Sequence, residues 1–548
     1  MLYLKSAYYY FLSIKINFSK LINKIYFTTT TYNKSLKSKA PNQFYFFPNP
    51  FLLSSFISYK KFSFKISNVN PDKFWRNIVT SKEQNNLHSY LWLGLIDRKN
   101  DASIIRKIIS IWIDINKKYE SVIWENSIIS KRIISWILNA DIVLSGTNHI
   151  FKNDFLQSII IQVNHLKKNI NFEKNVGKKI EMLSAILLSG LVFKEYKVNF
   201  DLSVKEFEKI IDNYFDKDGF PLTRNPNELL KISKYFILVR ECIRDAQLYV
   251  PDYLENIIEK NLNCLYNIAT PNKKMPLFNG ATEISLKDFF NYLLVLKLKA
   301  PTTKKMVGGI QVIKYKKDEV FFDVGHPPKK NYSNCYQSGS LSFEYFIDNQ
   351  KIITNCGFGS NISKKATLIS RLTSAQSSLC INNTSLVKFE RNKILNITFG
   401  NSLKESFEVE NINLKITNDD IICSGSHNAY IKNFGYIHNR KIILDKKNNC
   451  LTGVDNLIKK KDSTNLSFAI RFHLYPGLDA VQTVGGNSIL IKISKNKSLI
   501  FSAKNQKISI EKSIFLGGNK ILNNLCVTIS GSLNSEDKTV IWKIKKNI

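Results

Sequence analysis

The stretch Gln337-Ser338-Gly339-Ser340-Leu341-Ser342-Phe343-Glu344-Tyr345 decides how the second half of this chain is read. Leu341, Phe343 and Tyr345 alternate with Ser342 and Glu344, a two-residue period that sends apolar side chains to one face of a strand. Asp348-Asn349 then reads as a turn into Lys351–Thr354, so the stretch predicts a hairpin. Further out, Leu466, Phe468, Ile470, Phe472 and Leu474 alternate as strictly, as do Ile489, Ile491 and Ile493. Many short strands between Gly, Asn and Asp turns predict an antiparallel sandwich.

N-terminal to Ala300-Pro301 the period is helical. Ile104, Ile105, Ile108, Ile109 and Trp112 share a face, as do Phe155, Ile159, Val163 and Leu166 behind an Asn153-Asp154 cap. Ser203-Val204-Lys205-Glu206 reads as a capping box ahead of Phe207, Ile210, Ile211 and Tyr214. Helices first and strands afterwards predict two domains rather than alternating βαβ units. The expected division is a basic, irregular leader over 1–70, an all-α domain over 71–303 and a β-sandwich over 304–548.

Hydrophobic residues make up 44% of the 548 and aromatics 12%, which excludes a disordered chain. The formal charge is +35, a field that attracts a polyanion: an acidic polysaccharide, a nucleic acid or an anionic membrane surface. The other reading is a Lys-rich composition spread over the whole surface, since no compact basic run stands out. No nucleic-acid recognition motif accompanies the charge, so no nucleic-acid partner is expected. Eight cysteines without CxxC spacing indicate neither a disulfide framework nor a zinc ribbon. No window is apolar enough for a transmembrane span. The aromatic run Ala7–Leu12 is broken off by Lys15 and Lys20 and makes no clear export signal.

With Ile352–Gly357 and Arg371–Ser378, the opening stretch resembles the signature of the heparinase II/III-like polysaccharide lyases. The resemblance extends through Leu87–Leu93, Asp218–Pro221, Arg224–Pro226, Pro276–Gly280, Ser426–Tyr430, His438–Arg440 and Arg471–Leu474. It implies an α/α toroid (an incomplete helical barrel) followed by an antiparallel β-sandwich, with a glycan groove between them. It also implies β-elimination on a uronic-acid-containing acidic glycan, and a place in the cell envelope or periplasm, with a cytoplasmic location left open by the unclear leader. That reaction needs a neutraliser for the carboxylate, a base for the neighbouring proton and an acid for the leaving oxygen.

Several positions depart from the family pattern. Gln337, Asn355 and Gln376 stand where the resemblance implies metal-holding His, Asp and His, and Cys335 where a histidine stands. An amide is a poor zinc ligand, so neither a metal site nor a cofactor is expected. Glu228 falls at the position of a catalytic tyrosine. The catalytic candidates are therefore Tyr336, His438, His427, Arg224 and Asn225. Candidates for holding the substrate are Gln337, Gln376, Arg440, Arg471, His473 and His88. His438 and Arg440 are two apart on a predicted strand, and Arg471, His473 and Tyr475 share a face of another. Two readings of these pairs stand. Either they hold an acidic sugar, with arginine gripping its carboxylate, or they form a buried polar network that locks the two sheets. Two functions stay open accordingly: a lyase without the zinc site, or a non-catalytic protein of the cell envelope that binds an acidic glycan. Oligomeric state is not legible.

Overall fold

The computed structural model describes residues 2–57, 70–75, 81–300, 302–462, 465–494 and 496–547. Pro301 and residues 58–69 of the expected leader lie outside them. The chain falls into two compact units. One comprises Met1–Tyr214, Leu230–Glu259 and Tyr292–Lys297; the other comprises Phe215–Leu229, Lys260–Asn291 and Leu298–Ile548.

The first unit is helical. Helix Val176–Val192 is its centre, with every residue from Ile180 to Val192 buried, the pattern of a helix packed on all sides. Helices Asn126–Leu138 and Lys197–Tyr214 pack against it. The two faces read from the sequence point inward: Ile105, Ile108, Ile109 and Trp112 are buried, as are Phe155, Ile159, Val163 and Leu166.

Two expected helix starts are displaced. Asn148, not Asn153, caps helix His149–Asn169, its Oδ1 accepting from Phe151 N at 2.9 Å. Ser203 lies inside helix Lys197–Tyr214 and begins nothing. The leader is not irregular either. Residues Leu2–Tyr26 form a 25-residue helix. Beyond it Tyr32, Leu36, Phe44, Leu52 and Leu53 are buried, so this segment contributes to the core of the helical unit.

In the second unit the strands are β1 (Met306–Val307), β2 (Ile310–Tyr315), β3 (Asp318–Asp323), β4 (Phe343–Ile347), β5 (Gln350–Thr354) and β6 (Leu379–Ile381). There follow β7 (Val409–Ile416), β8 (Asp420–His427), β9 (Tyr436–Asp445), β10 (Cys450–Lys459), β11 (Leu466–Leu474) and β12 (Asp479–Gln482). The last are β13 (Ser488–Ser494), β14 (Lys497–Ala503), β15 (Lys507–Phe515), β16 (Leu522–Leu533) and β17 (Lys538–Asn547). One antiparallel sheet runs β1-β2-β3-β4-β5-β11-β16-β15, with β6 paired to β11; the other runs β12-β13-β14-β17-β10-β9-β8-β7. The hairpin read from the sequence is β4–β5. Asp348 and Asn349 both adopt positive φ, 51° and 65°, as a type I′ turn requires. The sheets share one core, in which Trp542 of β17 stacks on Phe343 of β4 and meets Phe472 of β11 edge-on.

Candidate functional site

A turn and two loops of the strand-bearing unit meet at Arg224. Its backbone is left-handed (φ 57°), and four of its five N–H groups have partners. Nε donates to Gly308 O at 2.9 Å, Nη1 to Gly325 O at 3.1 Å and His326 O at 3.2 Å, and Nη2 to the Asp323 carboxylate at the end of β3. A Cβ on Gly325 would lie 2.3 Å from Arg224 Cζ, so only glycine admits the guanidinium there. Arg224 is thus a clamp between the 220–226 turn and the end of β3. It was expected as a catalytic group, but its charge is answered by Asp323 and its donors are spent on backbone.

Pro226 opens helix Pro226–Asp245, and Asn225 Oδ1 caps it by accepting from Asn227 N at 2.9 Å. Asn225 Nδ2 finds no partner among the described residues and faces Gly280. Gly280 (φ +95°) lies so close to Cys335 that a Cβ there would stand 2.7 Å from Cys335 Cβ and 2.9 Å from Asn225 Nδ2. Three segments far apart in sequence therefore converge: 223–228, 278–280 and 335–337. The Cys335 thiol is pushed up to about 11, chiefly by burial, with Glu228 adding and Arg371 opposing. Glu228 itself accepts from Thr223 Oγ1 at 2.5 Å. Tyr336 is fully buried, its hydroxyl has no partner among the described residues, and burial raises its phenol far above the ordinary range.

Gln337 and Gln376 were expected to touch substrate; the structure makes them internal ties. Gln337 Oε1 accepts from Gly280 N at 3.0 Å, while Nε2 donates to Gly357 O at 3.1 Å and Ser370 O at 2.7 Å. Gln376 Nε2 donates to the same Ser370 O at 2.8 Å. Asn355 completes the knot, donating to Leu277 O at 3.2 Å and accepting from Ser377 N at 2.9 Å. An amide both donates and accepts, which a carboxylate cannot do. Among the described residues no group of three or more His, Cys, Asp and Glu converges as metal ligands do.

His438, His427 and Arg440, expected at the sugar, sit between the sheets with at most 1% exposure. His438 Nε2 bonds Asp455 Oδ1 at 2.7 Å, and its Nδ1 faces His427 Nε2 at 3.3 Å. Arg440 donates to both Asp455 oxygens (2.6 and 3.2 Å), to Leu341 O at 2.8 Å and to Ser377 O at 2.9 Å; Trp542 Nε1 donates to Asp455 Oδ2 at 2.8 Å. Burial works to raise the Asp455 carboxyl, but Arg440 and His438 overcome it and hold it far below the usual range. Burial lowers both histidines, against the pull of Asp455 in the case of His438. This is the sheet-locking network, not a sugar-facing surface. The sequence showed His438 and Arg440 on one face of a strand without showing that the face is inward, because Asp455 comes from the next strand and Trp542 from the last.

His473 is also enclosed. Its Nε2 donates to Ser374 O at 3.0 Å and its Nδ1 faces Ser513 Oγ at 2.9 Å; burial brings it down to about 4. It borders a cavity of about 340 Å³ that also takes in Cys356, Ser374, Ser513 and Asn523. Arg471, half-buried, donates to Asn383 Oδ1 at 3.0 Å. His88 belongs to the helical unit, where it accepts from Trp112 Nε1 at 2.9 Å and stacks on Trp75 at 4.9 Å, and burial lowers it to about 3. It is a core residue. So are Trp112 and Trp136, which meet edge-on at 5.3 Å, with Tyr90 against both and Arg132 over Trp112.

Of the seven histidines only His149 and His326 are exposed. His326 follows Gly325 directly, and its carbonyl is one of those held by Arg224. Its Nδ1 lies 3.3 Å from Glu408 Oε2. Sequence reasoning passed over it because no periodic pattern or motif carries it; its exposure and its tie to Arg224 are visible only in three dimensions.

Comparison with known proteins agrees with this architecture. The family model for the heparinase II/III-like C-terminal domain matches residues 300–543. Among solved structures, heparan sulfate lyase HepC from Pedobacter heparinus superposes with a TM-score of 0.64 at 13% identity, covering 87% of this chain and 78% of that one. A crystal structure of heparinase III gives 0.67 at 14% identity, covering 86% and 79%, and a second heparinase III gives 0.67 at 12%, covering 90% and 83%. No curated protein matches the chain by sequence. The fold is thus the α/α toroid and antiparallel sandwich of those structures. Residues 300–543 thus carry the heparinase II/III-like C-terminal domain, and the fold is shared with those structures along most of the chain.

Proposed function

We propose that the chain is a polysaccharide lyase that cleaves a uronic-acid-containing acidic glycan by β-elimination, without the zinc site. The observation that carries this reading is the convergence of 223–228, 278–280 and 335–337, which leaves the Asn225 amide donor unpartnered beside a clamp that also holds His326. In the reaction, Asn225 Nδ2–H donates to the sugar carboxylate and disperses the charge that builds on it. His326 takes the proton from the carbon beside that carboxylate. The carbon–carbon double bond forms as the glycosidic C–O bond breaks, and the imidazolium returns its proton to the departing oxygen. Arg224 and Asp323 are positioning residues. The Gln337–Asn355–Gln376 knot does not fit a zinc ion, since its three nitrogens donate to backbone carbonyls and the Gln337 and Asn355 oxygens accept from backbone N–H groups. No step passes through a metal.

The test is ultraviolet absorbance of the unsaturated product over a panel of uronic-acid polymers. Product that vanishes in Asn225→Ala and His326→Ala supports the reading; silence across the panel at high enzyme concentration overturns it. A second reading, binding of an acidic glycan in the cell envelope without cleavage, is favoured by one observation: Tyr336, His427, His438 and His473 are all sealed from solvent. It predicts salt-sensitive retention of a glycan that elutes unchanged in length.

A further inference from the structure

The helix Leu2–Tyr26 has two unlike sides. Ser13 is completely buried, and the helix leads into Phe27, which meets Tyr119 at 5.3 Å and His165 at 5.5 Å. Tyr32, just beyond, bonds His165 Nδ1 at 2.8 Å. The C-terminal end of the helix is therefore anchored in the aromatic core of the helical unit. On its other side Tyr8, Phe11, Ile14, Phe18, Ile22 and Ile25 are exposed, Phe11 at 74%, Phe18 at 63% and Ile25 at 65%. Their spacing of three and four places them on one stripe, and Leu21 (58% exposed) lies at its border. A continuous apolar stripe of this size on an anchored helix marks a contact surface rather than scattered exposure.

Charge indicates what covers it. The helix contains no acidic residue, and Lys15 and Lys24 are exposed on it. Residues 1–70 as a whole hold ten lysines and no aspartate or glutamate. Aromatic and aliphatic groups on one face with lysines beside them are the pattern of a helix that lies in a lipid–water interface, its lysines drawn to anionic headgroups. The helix is not apolar enough to cross a bilayer.

We propose that Leu2–Tyr26 docks this protein, flat, on the surface of an anionic lipid bilayer. The full-length chain is floated with vesicles of phosphatidylcholine alone and of phosphatidylcholine with phosphatidylglycerol, at low and high salt. The expected result is flotation with the anionic vesicles that weakens with salt. Phe11→Asp/Phe18→Asp should lower the partition about a hundredfold, and Lys15→Glu/Lys24→Glu at least tenfold. These side chains are exposed, so both variants keep the thermal midpoint of the parent. Flotation that neither variant changes, no flotation with anionic vesicles, or concentration-dependent self-association abolished by Phe11→Asp/Phe18→Asp would each overturn the proposal, the last assigning the stripe to a second copy of the chain.

Discussion

Replacing Gln337 by glutamate changes one atom and reverses the logic of the amide knot. In the parent, Nε2 donates to Gly357 O and Ser370 O while Oε1 accepts from Gly280 N, all with the side chain 1% exposed. A protonated glutamate keeps the acceptor and one of the two donors; with that donor on Gly357 O, Ser370 O is still answered by Gln376 Nε2, so one buried hydrogen bond is lost at a cost of about 1 kcal/mol. An ionised glutamate would turn a carboxylate oxygen toward two carbonyl oxygens in a dry site, so the native state holds it protonated. Its folded pKa is therefore raised above the unfolded value of about 4.3. The native state then binds more protons than the unfolded chain, so stability falls as pH rises from that value toward the folded pKa. If the proton is retained up to pH 7, the extra loss is about 3.7 kcal/mol, from about 1.36 kcal/mol for each of 2.7 pH units. Urea unfolding of parent and variant at pH 4.5 and pH 7 should show a deficit of about 1–2 kcal/mol at the lower pH that grows to about 4–5 kcal/mol at the higher. A deficit that is equal at both pH values would show that the amide is not held as described.

Further outcomes follow from the same geometry. Asp455→Ala leaves Arg440 charged and unanswered between the sheets, and unfolding curves should record a loss of about 3–5 kcal/mol. His473 is lowered to about 4 by burial, so the unfolded chain binds the extra proton between pH 4 and its own value near 6.5, and stability should rise with pH across that window. His473→Gln should flatten that rise, by at most about 3 kcal/mol. Gly280→Ala places a methyl against Cys335 in a left-handed backbone, so turnover should fall with a cost of about 1–3 kcal/mol in stability. His326→Ala, at an exposed position, should abolish product while changing stability by less than about 0.5 kcal/mol.

The sequence was most legible where one periodicity dominates. The apolar row of β11 and the turn at Asp348-Asn349 carry their structure locally, and both are found where expected. Helix starts were less legible, because Ser203-Val204-Lys205-Glu206 satisfies a capping pattern in the middle of a helix that begins six residues earlier, at Lys197. Polar residues were read least well. Period places His438 and Arg440 together but does not say what they face, and their partners Asp455 and Trp542 lie 15 or more residues away. The same holds for Gln337, whose partners Gly280, Gly357 and Ser370 come from three different segments. Substitution of metal-ligand types by amides was visible in the sequence; that each amide has a backbone role of its own was not. Conversely His326, without a motif, acquires meaning only from the arginine that holds its carbonyl.

The most direct measurement is the growth of ultraviolet absorbance from unsaturated uronate when the purified chain is incubated with uronic-acid polymers, run beside Asn225→Ala and His326→Ala. Absorbance that rises with the parent and stays flat with both variants, while salt-sensitive retention of the polymer persists in all three, is the predicted result. A flat trace for the parent across every polymer, or a parent-like rise with both variants, contradicts the account.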